Sequence, residues 1–212
     1  MEDLLIEAFY GILLSFWVAI VTLYISKVFE KKYSSYVARK VIHILGGGVT
    51  GIIILMFFQT PYIPIIASLC VLIGLLIMRI KRTAPWFQES QSRGEIYFAI
   101  SSLFLFSFMW YIYPEKILSI IPFLYMSIGD GVTGIVRYIF YKKRVKGYIG
   151  TIAMIITCVP IGYYLLLPYG LQMVGILSAI IASLVEKVSI IDDNISVPLV
   201  SSVILIIGAK IL

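Results

Sequence analysis

The chain has 212 residues, 61% of them hydrophobic and 13% charged, with a mean hydropathy of +1.03. That composition excludes an ordinary soluble domain and points to a single integral membrane domain over residues 1–212. A net charge of +6 would raise nucleic acid as a partner for a soluble protein, but in a membrane chain the placement of the charges matters more, and no nucleic acid is expected.

A span needs about 20 apolar residues. On that rule spans are predicted near 4–26, 37–58, 62–80, 95–113, 117–140, 149–168, 171–186 and 196–212. The last two are the shortest, so the expected fold is an all-α transmembrane helical bundle of seven or eight spans. The N-terminus carries Glu2 and Asp3 and lacks the basic region of a signal peptide, so the first span is expected to be retained. Prolines 61, 64, 114, 168 and 198 fall near proposed ends, whereas Pro122 and Pro160 lie inside spans and predict kinks. Cys70 and Cys158 sit in apolar segments without partners at zinc spacing and read as packing residues.

Charge orients these spans. Lys27, Lys31, Lys32, Arg39 and Lys40 lie in or beside the first connection, Arg79, Lys81, Arg82 and Arg93 the third, and Arg137, Lys142, Lys143, Arg144 and Lys146 the fifth. The second and sixth connections carry no charge, and the fourth has only Glu115 and Lys116. By the positive-inside rule the N-terminus faces out and the odd connections face the cytoplasm. The expected location is therefore an integral membrane protein, in the cell membrane if the source is a prokaryote, with its unusual polar groups gathered on the cytoplasmic face.

Five stretches carry those groups. Arg39, Lys40 and His43 open the second span at helical spacing that shares a face, continued by Gly47. The face suits an anionic ligand; Lys40 taken alone reads as an ordinary cytoplasmic anchor, and His43, the single histidine, either moves a proton or donates a hydrogen bond. Before the fourth span, Arg93 and Gly94 offer a phosphate contact or a plain snorkelling anchor, and Glu95 answers a helix dipole. In the fifth span Asp130 stands among Gly129, Gly131 and Gly134, with Arg137 two turns on. An acid in an apolar segment is costly and therefore usually functional, either holding magnesium or accepting a proton. Lys146, Gly150 and Thr151 open the sixth span with charge, bare backbone and a hydroxyl, a setting for phosphate that is not the Walker pattern because the lysine precedes the glycines. Finally Glu186 precedes Asp192, Asp193 and Asn194, oxygen ligands able to converge on a hard cation, or a solvated loop with a helix cap.

Arg39-Lys40-x-x-His43, Gly129-Asp130-Gly-x-x-Gly134, Lys146-x-x-x-Gly150-Thr151, and Glu186 followed by Asp193-Asn194 and Pro198 together resemble the polyprenol kinase family, which includes dolichol kinase and phytol kinase. The resemblance covers residues 36–212, leaving 1–35 as a peripheral first span and basic loop. It implies transfer of the terminal phosphate of a nucleoside triphosphate, commonly CTP, to the hydroxyl of an isoprenoid alcohol in the bilayer, with Mg2+ or another divalent cation. On that reading Lys146, Gly150 and Thr151, with Gly129, Gly131 and Gly134 as bare backbone, cradle phosphates. Arg39, Arg93 and Arg137 neutralise transition-state charge. Asp130, Glu186, Asp192, Asp193 and Asn194 supply metal ligands, and Asp130, Asp193 or His43 takes the alcohol proton. Thr133 and Thr151 replace the alanine and serine common in relatives. The alternatives are a membrane cytidylyltransferase acting on a lipid phosphate, which has related motifs; a secondary transporter, since broken helices around a buried acid also describe transport sites; and a purely structural membrane subunit, which explains none of the spacing. The isoprenoid used, the preference for CTP over ATP and the oligomeric state are not encoded in these motifs.

Overall fold

The computed structural model describes residues 2–89, 92–112, 116–143, 145–188 and 192–211, with side chains from residue 4 onward. Pro114, Glu115 and Arg144, and the expected span ends at 113 and 212, lie outside the described residues. Eight helices run through the described residues: α1 Leu4–Lys32, α2 Ser35–Phe57, α3 Tyr62–Lys81, α4 Gly94–Tyr111, α5 Lys116–Tyr141, α6 Tyr148–Tyr169, α7 Gln172–Val188 and α8 Asp193–Ile211. All but α7 are long and apolar enough to cross a bilayer, which makes this an integral membrane protein with an all-helical fold. The expected spans survive with ends shifted by local chemistry. Ser34 accepts a hydrogen bond from the Val37 amide at 3.3 Å and so starts α2 two residues early. Asp192 does the same for α8, its carbonyl taking the Ile195 and Ser196 amides.

Helix α5 is central, 78% buried along its most apolar window, whereas α3 is 6% buried and α1 17%, so these two present Phe9, Phe16, Ile66 and Ile80 outward as a lipid face should. In a bilayer apolar surface gains nothing by leaving lipid for protein, so packing, small residues and polar links join the helices. Gly162 and Gly175 let α6 and α7 touch backbone to backbone, since a Cβ on either would meet the other's main chain. Gly51 plays the same part against Phe123 and Leu124 of α5.

Chain direction alternates, and each end of the bundle has its own ties. At one end the buried Glu7 carboxylate accepts from the amides of Gln59 (2.6 Å) and Thr60 (3.0 Å) and from Thr60 Oγ1 (2.5 Å). There Lys116 Nζ donates to the carbonyls of Leu55 and Phe58, closing the C-terminus of α2. Glu7, which no sequence motif marks, thus fixes the α2–α3 turn. At the other end Ser35 Oγ donates to Glu89, Arg79 pairs with Glu95, and Lys27 lies over the Trp86 ring. Glu95 thus ties α3 to α4 rather than merely answering a dipole.

Two helices widen into π turns where the ionisable residues lie, over Ile42–Gly48 in α2 and Tyr125–Gly129 in α5, and the two turns pack together. A third π turn spans Val21–Ile25 in α1. Such turns insert an extra residue and recur at functional sites. In α5 the π turn follows Pro122, whose missing amide already opens the helix there.

Candidate functional site

The carboxylate of Asp130, 2% exposed, opens the regular part of α5 just after its π turn. Lys40 reaches it from α2, with Nζ 2.7 Å from Oδ1 and 2.6 Å from Oδ2. The lysine gets there over Gly134, where a Cβ would collide with its stem. His43 Nδ1 stands 3.2 Å from Asp130 Oδ2, off the line of a hydrogen bond, with its ring against Phe98. The reading of Lys40 as a surface anchor is therefore corrected: it is 8% exposed and is the principal partner of the buried acid. Its signal was the three-residue spacing to His43, which places both side chains toward α5. Arg39 turns the other way, giving Nη1 to Glu89 Oε2 at 3.2 Å and to Ser92 Oγ at 3.1 Å.

Two turns beyond Asp130, Arg137 makes a two-bond fork to Glu186 of α7, at 2.6 and 2.8 Å, with both side chains almost wholly buried. A Cβ at Gly150 would overlap Arg137 Nε, so this glycine seats the arginine at the start of α6. Lys146 completes the group, donating to Asp193 Oδ1 and to the Glu186 carbonyl, each at 2.8 Å. This pair is the most accessible, with side chains 39% and 17% exposed.

Three acids from three helices thus meet. One carboxylate oxygen each from Asp130, Glu186 and Asp193 lie within 4.8 Å of one another. Opposite ligands of magnesium sit about 4.2 Å apart, given metal–oxygen distances of about 2.0–2.1 Å, so this all-oxygen set suits a hard cation after a small closure or with a bridging water. The acids line a cavity of about 30 Å³ with Tyr36, Arg39, Lys40, Arg137, Val145 and Lys146. That volume takes an ion and a water, not a nucleotide, which would have to lie across the mouth.

Other expected residues stand elsewhere. Arg93 is exposed ahead of α4, and Gly94 beside it gives room to Arg39 and Asn194. Asp192 accepts from the Asn194 amide and side chain, the cap that was the alternative to metal binding. The main-chain carbonyl of Asn194 in turn accepts from the Ser101 hydroxyl. Gly129 and Gly131 face Cys158 and Ile44, so neither offers open backbone to a phosphate. Thr151 is buried, its hydroxyl without a hydrogen-bond partner among the described residues. No protein-family model, curated protein or solved structure matches this chain.

Proposed function

We propose that the chain is a membrane kinase that moves the terminal phosphate of a nucleoside triphosphate, CTP in the family it resembles, to the hydroxyl of an isoprenoid alcohol. The observation that carries this reading is the meeting of three acids and four cations around one cavity at one end of an otherwise apolar bundle. A long isoprenoid leaves the bilayer at a cost of about 0.8 kcal/mol per CH2, while a triphosphate cannot enter it, so their reaction belongs at the interface. The basic residues of the first, third and fifth connections share the end that holds the cavity, and by the positive-inside rule that end is cytoplasmic.

In the reaction the alcohol oxygen attacks the terminal phosphorus, the bond from phosphorus to the bridging oxygen breaks, CDP leaves, and the hydroxyl proton passes to a carboxylate of the cluster. Such transfers need mainly positioning and charge stabilisation. Arg39, Lys40, Arg137 and Lys146 supply the positive charge around the mouth. Gly134 and Gly150 act indirectly, by seating Lys40 and Arg137. Asp130, Glu186 and Asp193 would hold a divalent cation, which when bound neutralises phosphate charge.

The test is transfer of label from the terminal phosphate of CTP into a panel of isoprenoid alcohols by purified protein, with Asp130→Asn as control. Label in the lipid that the substitution abolishes supports the kinase; label that persists in the variant refutes the site. A transporter is the second reading, favoured by the paired π turns beside Asp130. It predicts no transfer and a substrate-dependent proton or ion flux in proteoliposomes.

A further inference from the structure

The three ion pairs of the cluster are not alike. Arg137 and Glu186 are joined by two parallel bonds between groups that are 4% and 0% exposed, and the arginine is wedged against Gly150. A guanidinium fork is planar and fixed, and leaving either partner unpaired at that depth is very costly. Lys40 and Lys146 instead carry compact ammonium groups on flexible stems, each on an acid that also lines the cavity. The cluster's three acids, Glu186 among them, offer oxygens within 4.8 Å of one another, and beside Asp130 the 6%-exposed His43 stands with Nδ1 3.2 Å from the same carboxylate, aimed at the site but poorly aligned for a hydrogen bond.

Consider what one ligand alone does to this balanced set. A divalent cation drawn to Asp130 and Asp193 displaces two ammonium groups and leaves them facing it. A triphosphate drawn to Lys40 and Lys146 strips two carboxylates and leaves them facing its own negative charge. Each ligand alone therefore creates like-charge contacts in a partly desolvated place, and each removes the defect that the other creates.

We infer that cation and triphosphate bind by partner exchange: Asp130 and Asp193 pass from Lys40 and Lys146 to the cation, the two lysines pass to phosphate oxygens, and the Arg137–Glu186 fork stays closed. This rests on the nucleotide reading above and adds to it a rule of binding: the two ligands are strongly coupled, and the two lysines oppose metal binding until a triphosphate arrives.

The test measures binding rather than turnover. Mn2+ binding to the purified protein is followed by electron paramagnetic resonance with and without inorganic tripolyphosphate, after correction for the complex the two form in solution. The expected result is mutual tightening on the order of 10-fold or more, within the roughly 5–150-fold usual for coupled sites. Lys146→Met should tighten binding of Mn2+ alone and shrink the coupling, while Lys143→Met, which removes an exposed charge from the same connection, should change neither. Independent binding of the two ligands, or weaker Mn2+ binding in Lys146→Met, overturns the exchange. Failure of tripolyphosphate and CTP to bind at all overturns instead the nucleotide reading on which it stands.

Discussion

Replacing Lys40 by methionine gives the sharpest structural test of the cluster. Methionine keeps an unbranched stem over Gly134 and removes only the ammonium that holds both oxygens of Asp130 at 2.7 and 2.6 Å. Asp130 is 2% exposed, so the variant keeps a buried carboxylate whose remaining possible donor is His43, 3.2 Å away and poorly aligned, with the Glu186 and Asp193 carboxylates close by. Breaking a buried pair from one side costs about 3–5 kcal/mol, because the surviving charge cannot be solvated. Were Lys40 a surface anchor, the loss would be about 0–1 kcal/mol. Unfolding in mixed micelles titrated with dodecyl sulfate reads the difference. Asp130→Asn alone leaves the ammonium unpaired and is also costly, but the double variant Lys40→Met/Asp130→Asn buries no charge in either place. It should therefore recover stability relative to the sum of the singles, with a coupling on the order of 2 kcal/mol. A Lys40→Met protein within about 1 kcal/mol of the parent, or a strictly additive double variant, would refute the pairing.

Two further substitutions probe how the site is supported. Gly150→Ala should push Arg137 out of its fork with Glu186, costing about 1–3 kcal/mol and most of the proposed transfer activity, whereas Gly74→Ala in α3 meets nothing within 4 Å and should be neutral or gain up to about 1 kcal/mol; parallel unfolding and activity assays distinguish them, and equal effects would contradict the seating of Arg137. Glu7→Gln, at the opposite end of the bundle, keeps an oxygen for the Gln59 and Thr60 amides but puts an NH2 where the Thr60 hydroxyl donates and removes the acceptor's charge, and should cost about 1–3 kcal/mol without altering the rate of the proposed transfer by folded protein. A large fall in that rate would mean that the two ends communicate.

What the sequence made legible follows from what the bilayer constrains. Span length is set by membrane thickness, so a bundle of seven or eight spans follows from hydropathy; the early starts of α2 and α8 lie where Ser34 and Asp192 cap a helix, and α1 runs past its expected end at 26 to Lys32. Asp130, Arg137, Lys146, Glu186 and Asp193 were legible as a group because ionisable residues in apolar segments are rare and share one end. Their pairing was not legible, since it depends on how helices rotate and cross. Arg39 and Lys40 are adjacent in sequence yet part company, one to Glu89 and one to Asp130. The glycines were misread for the same reason. Spacing presented Gly134 and Gly150 as open backbone for phosphate, but both are filled by the stems of basic residues from a neighbouring helix. Glu89, which holds Arg39, lies in a connection whose sequence carries no such signal.

The most direct test of the central claim offers the purified protein CTP labelled on either the terminal or the innermost phosphate, with Mg2+, an isoprenoid alcohol and, separately, its phosphate ester. A kinase of the kind proposed carries only the terminal label into lipid, from the alcohol alone, and releases CDP. The innermost label entering lipid from the phosphate ester, with release of pyrophosphate, would contradict it and make the protein a cytidylyltransferase.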